Sequence, residues 1–287
     1  MKKLRGVWQV FAVARLIRHG GFDAAVLFPN SLRVALEAWL ARIPRRVGYP
    51  GHAPRAMLLN QVLAPRRVRG KKTFAGPPVH QVHHYLKLAE FIGAEIREER
   101  DFGFPAPAPV SGSPVRIAVC PGAEYGPAKR WLPDRFAEVI RTVSADAGCR
   151  WHIVGTEKDL PVAEEIARLA GSPQNVENLC GRTTLAELIA LLRQCALLVT
   201  NDTGTMHLAD FLGTPLVALF GSTELSLTGP RSPRSVVIRQ KAECSPCFLR
   251  ECPIDFRCMQ DIPMEKVVEA VLALDRKSTR LNSSHRT

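Results

Sequence analysis

Polar and charged side chains lie together at a junction between two apolar runs, in the segment VTNDTGTMHLADFLGTPLVALFG. Gly204 allows a ligand to approach the backbone, and the hydroxyl and amide groups of Thr203 and Thr205 can bind phosphate oxygens. His207, one helical turn further, can donate a hydrogen bond to a phosphate or a sugar. The junction therefore predicts a diphosphate site formed by Asp202, Thr203, Gly204, Thr205 and His207. The alternative is that the first two of these residues only cap the following helix.

Two earlier loops offer complementary chemistry. In VCPGAEYGPAKRWLPDRF, a polar loop delivers Lys129 just before a predicted helix, where its ammonium group can neutralise a departing diphosphate. No DxD motif is present to hold a divalent ion for that purpose. In HIVGTEKD, the Glu157 carboxylate can accept hydrogen bonds from two ribose hydroxyls. Together the three loops predict a pocket for a nucleoside diphosphate.

The elements around these loops alternate regularly between strand and helix. Strands are predicted at 115–120, 150–154, 176–180, 196–200, 215–220 and 235–239, with helices between most of them. Such alternation indicates a parallel sheet covered on both faces, and ligands bind such sheets at the carboxyl ends of their strands. The first part of the chain contains a shorter βαβ pattern that begins with AAVLF.

A proline-rich stretch separates the two patterned regions. We expect a first domain at 1–104, a connector at 105–114 and a second domain at 115–274. The last residues, 275–287, break the apolar rhythm abruptly and match a peptide encoded in one frame by a common sequencing adapter. We expect them to be an artefact; a natural basic tail is the alternative.

The charge is concentrated in the first part of the chain. The 287 residues carry a net charge of +12, and residues 1–110 alone hold 18 Lys and Arg against 7 Asp and Glu. This excess favours an anionic partner, although the patterns of nucleic-acid-binding modules are missing. No apolar run is long enough to span a membrane and no cleavable leader is evident, so we expect a cytoplasmic protein.

Four cysteines lie within fifteen residues. Their spacing, Cys244-x₂-Cys247-x₄-Cys252-x₅-Cys258, would permit a tetrahedral zinc site. The paired CxxC arrangement typical of zinc-binding domains is not present, so a structural role without metal is the alternative.

The motifs CPGAEYGPAKRW and NDTGTMHLA resemble those of glycosyltransferase family 9, the ADP-heptose:lipopolysaccharide heptosyltransferases, and the first motif is most similar to the heptosyltransferase II branch. The resemblance implies a GT-B architecture of two Rossmann-like domains with parallel sheets facing a cleft, the first of them incomplete here. It implies ADP-L-glycero-D-manno-heptose as donor, a lipid A-linked inner core at the cytoplasmic face of the inner membrane as acceptor, and no cofactor. Lys129 corresponds to the diphosphate-binding lysine, Glu157 to the ribose-binding glutamate and 202–207 to the donor loop.

One expected feature of the family is missing from the sequence. Its members begin with a strand and a Gly-Asp pair whose aspartate is the general base, and no Gly-Asp pair occurs in this chain. We therefore expect this chain to bind donor weakly and to turn over poorly or not at all. The alternatives are another GT-B sugar-nucleotide enzyme, such as an epimerase or a transferase with a different donor, and a non-catalytic nucleotide-binding fragment.

Overall fold

The computed structural model describes residues 2–63, 67–68, 71–72, 79–96, 114–147, 149–171 and 174–283. The chain forms two compact units, Met1–Phe102 and Gly103–Thr287. Apart from its last residue, the predicted connector at 105–114 lies outside the described residues.

The first unit is a small α/β structure. Its βαβ core is parallel, with strands in the order β1-β2-β3. The elements are α1 (Lys2–His19), β1 (Ala24–Leu27), α2 (Leu32–Leu40), β2 (Arg45–Gly48), α3 (Ala53–Ala56), β3 (Gln61–Val62), the antiparallel pair β4 (Arg67–Val68) and β5 (Lys71–Lys72), and α4 (Gln81–Phe91).

Apolar residues of α1 and α2 build the core of the first unit. Ala14 of α1 packs with Ala35 and Ala38 of α2 and with Leu27 of β1. The small side chains allow the two helices to lie close together. The Ser31 hydroxyl accepts a hydrogen bond from the Arg33 amide and so caps α2.

The second unit contains a six-stranded sheet in which every strand pair is parallel. Its elements are β6 (Arg116–Cys120), α5 (Pro133–Ala147), β7 (Arg150–Ile153), α6 (Leu160–Ala170), β8 (Val176–Asn178), α7 (Leu185–Gln194), β9 (Leu197–Asn201), α8 (Gly204–Leu212), β10 (Leu216–Phe220), α9 (Leu225–Thr228), β11 (Ser235–Arg239), α10 (Arg257–Gln260) and α11 (Met264–Ser283). All six predicted strands are confirmed.

The order of the strands fixes where a ligand can enter. It runs β11-β10-β9-β6-β7-β8, so that the chain builds outward from β6 on one side and then returns to build from β9 on the other. This is the doubly wound order of dinucleotide-binding domains, and the crevice at the point of reversal is their usual ligand site. Here that point lies between β6 and β9.

The central strands are apolar on both faces because helices cover both faces of the sheet. Ile117 and Val119 of β6 pack in one core cluster with residues of α5, α6 and α11. Ala118 and Cys120 of the same strand pack in the other cluster with residues of α7 and α8. The alternation follows from the two-residue period of a strand.

The sequence pattern predicts a helix over 134–147 capped by Asp134 and a final helix over 263–274, and both details were wrong. Asp134 does not cap α5, because Pro133 already begins the helix and Asp134 lies in its first turn. The final helix does not end at residue 274, because α11 continues to Ser283. Residues 275–283 contain neither proline nor glycine, so nothing in their sequence stops a helix. None of the described helices has both the length and the apolar character that crossing a bilayer requires.

Candidate functional site

The site begins at the carboxyl ends of β6 and β9, the two strands at which the order reverses. The loop after β6 carries Lys129, and the loop after β9 carries Asp202 and leads directly into α8. Because consecutive segments leave these strands toward opposite sides, a crevice lined by free backbone groups opens between them.

Lys129 and Asp202 meet in this crevice. The Lys129 ammonium nitrogen lies 2.5 Å from Oδ2 of Asp202, and the two side chains are only 12% and 5% exposed. The Thr223 hydroxyl, just beyond β10, donates a hydrogen bond of 2.7 Å to the same oxygen. Lys129 follows β6, Asp202 follows β9 and Thr223 follows β10, and these three strands are neighbours in the sheet. Asp202 therefore holds the lysine in place and is itself held by Thr223.

The alternative role of Asp202 and Thr203 as helix caps is not what the structure shows. Thr203 is the first flanking residue of α8, yet its side chain makes no capping hydrogen bond. The Asp202 carboxylate is bonded to Lys129 and Thr223 instead. Gly204 begins the helix, and a side chain placed there would meet no atom within 4 Å. The start of α8 is thus open on the side of Gly204, which suits the approach of an anion.

Asn201, the last residue of β9, fixes both ends of the loop that carries Lys129. Its amide nitrogen donates to the carbonyl oxygen of Pro121 at 2.7 Å, and its Oδ1 accepts from the Trp131 amide at 3.1 Å. Asn201 is fully buried. The sequence motifs did not single out Asn201 as a site residue, although a polar side chain at the end of an apolar strand was the available signal.

A cavity of about 220 Å³ lies along the same edge of the sheet. Thr203 and Thr205 line it, as do glycines from three other strand ends, Gly122, Gly155 and Gly181. Leu185 and Leu188 of α7 supply an apolar wall. A polar edge opposite an apolar wall suits a nucleoside, whose base is flat and apolar while its sugar carries hydroxyls.

Glu157 lies at the rim of this cavity and does not line it. Its side chain is exposed, and its backbone lies so close to Gly181 that a Cβ added to that glycine would come within 3.1 Å of the Glu157 Cα. The predicted role in binding ribose hydroxyls therefore stays a prediction.

Asp159, two residues later, lines the cavity and was missed by sequence analysis. This buried carboxylate accepts hydrogen bonds from the amide and hydroxyl of Thr156 at 3.0 and 2.8 Å, and Arg130 lies 3.3 Å away. A side chain at Gly122 would clash with it. Asp159 thus ties the loop after β7 to the loop after β6, and position 122 requires glycine because the two loops approach so closely.

His207 is in the second turn of α8. Its pKa is lowered from the ordinary value of 6.5, chiefly by the protein packed around the ring, although Asp202 and Asp210 act in the opposite direction. Its side chain keeps contact with solvent. At neutral pH the ring is therefore uncharged and can donate one hydrogen bond.

The four clustered cysteines differ in their surroundings. Across the described parts of the chain, which include all four thiols, no group of three His, Cys, Asp or Glu side chains is arranged to hold a metal ion. Cys244 is exposed whereas Cys258 is buried, and burial raises the pKa of Cys258 to about 11. Cys252 accepts a hydrogen bond from the Phe256 amide. These contacts are those of cysteines that pack a loop.

Comparison with known proteins gives a consistent result. A model of glycosyltransferase family 9 (heptosyltransferase) matches residues 10–256. The chain is 34% identical over 242 residues to "Lipopolysaccharide heptosyltransferase 2" of Escherichia coli K12, covering 78% of this chain and 66% of that protein. It is 32% identical over 231 residues to "Lipooligosaccharide heptosyltransferase 2" of Haemophilus influenzae, covering 76% and 66%. The chain thus spans about two-thirds of the length of these relatives.

The solved structures agree with the sequence relatives. The structure of E. coli ADP-heptose lps heptosyltransferase II superposes with a TM-score of 0.72 at 26% identity, covering 95% of this chain and 82% of that one. The predicted α/β fold of the GT-B type, with parallel sheets, is confirmed.

Proposed function

Because the chain belongs to glycosyltransferase family 9, the heptosyltransferases, we propose that its activity is transfer of heptose from ADP-L-glycero-D-manno-heptose to the inner core of lipopolysaccharide. The described residues that support this proposal are those of the donor side. The single observation that carries it is the Lys129–Asp202 pair at the point of strand reversal, beside a cavity of nucleoside size.

The chemistry of the site favours one orientation of the donor. The adenosine occupies the cavity with its base against Leu185 and Leu188, and the diphosphate lies at the start of α8 within reach of Thr203, Thr205 and Lys129. The orientation follows from chemistry, because the apolar wall and the cationic end of the site are formed by different loops.

The reaction is a single displacement. An acceptor hydroxyl oxygen forms a bond to the anomeric carbon of the heptose while the bond from that carbon to the diphosphate oxygen breaks, and ADP leaves with the electron pair. Lys129 stabilises the charge that develops on the diphosphate. Asp202 keeps the lysine oriented before the donor arrives, so little reorganisation is needed in the transition state.

The proton of the acceptor hydroxyl needs a base, and the Gly-Asp pair that the family uses does not occur in this sequence. We propose that this chain binds the donor weakly and transfers heptose about 10²- to 10⁴-fold more slowly than a relative that carries the Gly-Asp pair. Donor binding and transfer are therefore to be measured separately.

Binding of ADP tests the donor site directly. Titration calorimetry with ADP should give saturable binding, and Lys129→Met should weaken it about 10- to 100-fold, since a charge-assisted contact to phosphate is lost. Lys266→Met removes an exposed lysine on α11 and serves as the matched control. Equal affinity of the Lys129 variant and the control would refute the assignment of the diphosphate site.

The choice of donor separates the proposal from its alternatives. Incubation of the chain and of a relative that carries the Gly-Asp pair with ADP-heptose or with UDP-sugars, followed by measurement of nucleotide release, distinguishes a heptosyltransferase from another GT-B enzyme. Release from UDP-sugars alone would favour the epimerase or a different transferase. Binding of ADP with no release from any donor would favour a nucleotide-binding fragment.

We also propose that the protein acts at the cytoplasmic face of the inner membrane, where a lipid-linked acceptor is presented. The support comes from α1, which contains no acidic residue. Its solvent-facing side exposes three large apolar side chains, Trp8, Phe11 and Leu16, beside the exposed Arg15 and Arg18. Apolar and basic side chains on one helix face are typical of a helix that lies on an anionic lipid surface.

A further inference from the structure

The loop that carries the four cysteines, residues 244–258 (hereafter the cysteine loop), has no part in the donor site described above. It nevertheless contacts the segment that leads to Lys129. The Tyr125 hydroxyl donates to the carbonyl oxygen of Phe248 at 2.6 Å, and the carbonyl oxygen of Arg250 accepts from the Ala128 amide at 3.1 Å. Two backbone oxygens of the cysteine loop thus hold both ends of the segment 125–128, immediately before the lysine.

Gly126 shows how closely the two segments approach. Its φ of 155° with ψ of 172° is accessible to glycine and strained for other residues. A Cβ at this position would also overlap the carbonyl group of Arg250. Backbone therefore packs directly on backbone here, and no side chain separates the cysteine loop from the segment it holds.

The other side of the cysteine loop is attached to the end of β10. The Ser245 hydroxyl donates to the carbonyl oxygen of Gly221 at 2.5 Å, and the Phe248 amide donates to that of Ser222 at 2.9 Å. The next residue, Thr223, donates to Asp202. The cysteine loop accordingly connects the strand end that orients Asp202 to the segment that delivers Lys129.

Aromatic contacts complete the connection. The Lys129 ammonium lies 4.9 Å from the centre of the Tyr125 ring, and the Arg250 guanidinium lies 5.6 Å from it. A cation within about 6 Å of an aromatic face is attracted to it. Tyr125 is thereby held at its hydroxyl by the cysteine loop and offers its ring to Lys129.

We propose that the cysteine loop is a positioning element for Lys129, acting through Tyr125 and Gly126. The relevance of this positioning role to catalysis rests on the proposed function, in which Lys129 binds the diphosphate of the donor. The cysteines contribute by packing: Cys258 lies buried against Gly221, and Cys252 accepts from the Phe256 amide within the loop. No metal or disulfide is required for this role.

The position of Lys129 can be measured without any ligand. The wild-type protein and each variant are labelled with a limiting amount of acetic anhydride, and the modified lysines are quantified by mass spectrometry. We expect Gly126→Ala to increase labelling of Lys129 several-fold, because the lysine is displaced from Asp202. Lys266, an exposed lysine on α11, is the internal control and should not change. Gly171→Ala is the matched glycine control, since Gly171 also has a positive φ but has open space around it.

ADP affinity supplies the second measurement. Gly126→Ala should weaken ADP binding while Gly171→Ala leaves it unchanged. If Gly126→Ala does not fold, as judged by circular dichroism, Tyr125→Phe decides, because it removes only the hydrogen bond to Phe248 and should raise Lys129 labelling to a smaller extent.

The outcomes separate this inference from the proposed function. Unchanged Lys129 labelling in the folded variants would overturn the positioning role, whatever the affinity for ADP. Increased labelling in a protein whose wild type binds no ADP would uphold the positioning role and refute the donor-site assignment.

Discussion

The ammonium group of Lys129 and the carboxylate of Asp202 are 2.5 Å apart, although 73 positions separate them in the sequence. Each follows one of the two strands at which the sheet order reverses. The pair is almost completely shielded from solvent, so each charge depends on the other, and the site is charged and ordered before a donor enters.

Removal of one partner should destabilise the second unit more than removal of both. Asp202→Asn leaves the shielded Lys129 ammonium without its counter-charge, and we expect the free energy of unfolding to fall by about 3 kcal/mol. The double variant Lys129→Met, Asp202→Asn has neither charge and should recover part of this loss. Urea denaturation followed by circular dichroism measures the free energy of unfolding of the wild type, of each single variant and of the double variant. A double variant as unstable as the sum of the single variants would contradict the coupling.

The apolar wall should distinguish ADP from pyrophosphate. Leu185 is 66% exposed, so Leu185→Ser should not disturb the fold, but it removes apolar surface from the base-binding end of the cavity. We expect ADP binding to weaken about fivefold and pyrophosphate binding to stay the same. Phe211→Ser, at a similarly exposed position on α8, is the control. Equal weakening of both ligands would place the base elsewhere.

His152 should make stability depend on pH in the acidic range. Burial lowers the pKa of this side chain from its ordinary value of 6.5, even though the Glu177 carboxylate, 3.2 Å away, raises it. Below about pH 6.5 the unfolded chain binds a proton that the folded protein takes up only at lower pH, so stability falls as the pH decreases toward the folded-state pKa. Above pH 6.5 the contribution is constant.

The measurement compares thermal unfolding of the wild type and His152→Gln between neutral pH and pH 5. The difference in Tm between the two proteins should change with pH. Taking this difference cancels the contribution of the other histidines, because both proteins contain them. Parallel pH profiles for the two proteins would show that His152 is not responsible.

The exposed face of α1 should bind anionic lipid. Trp8→Ala is expected to reduce binding to vesicles that contain phosphatidylglycerol by about tenfold, because an exposed aromatic side chain is no longer available for insertion. Trp39→Ala is the matched control, since Trp39 is an exposed tryptophan on α2 of the same unit. Wild-type binding should also weaken at high salt. Equal binding to vesicles of phosphatidylcholine alone would refute the electrostatic part of the proposal.

Much of the fold follows from local patterns. The apolar runs of β6, β9 and β10 are buried on both faces, and such continuous runs are recognisable in the sequence without knowledge of their neighbours. The loops after β6, β7 and β9 were predicted to bind a ligand because a polar residue directly after a buried strand must lie at the carboxyl edge of the sheet.

Partners within the site could not be predicted in this way. Thr223, Asn201 and Asp159 act through side chains or loops that are 21 to 80 positions away, and the cysteine loop contacts the segment before Lys129 across 123 positions. Their sequence signals are single polar residues, and such residues also occur in loops without these contacts. The four cysteines are a related case, because spacing along the chain does not determine whether four thiols converge.

The sequence by itself determined the six strands of the second unit, the chemistry available at each strand end and the resemblance to a family, because these depend on residue type and on short periodicities. Only the tertiary structure decided which strand ends are neighbours, that Asp202 holds Lys129 instead of capping a helix, and that the cysteine loop packs against the segment before the lysine. The physical reason is that the order of strands in a parallel sheet is set by the packing of helices on its two faces, which brings together residues that the chain keeps apart.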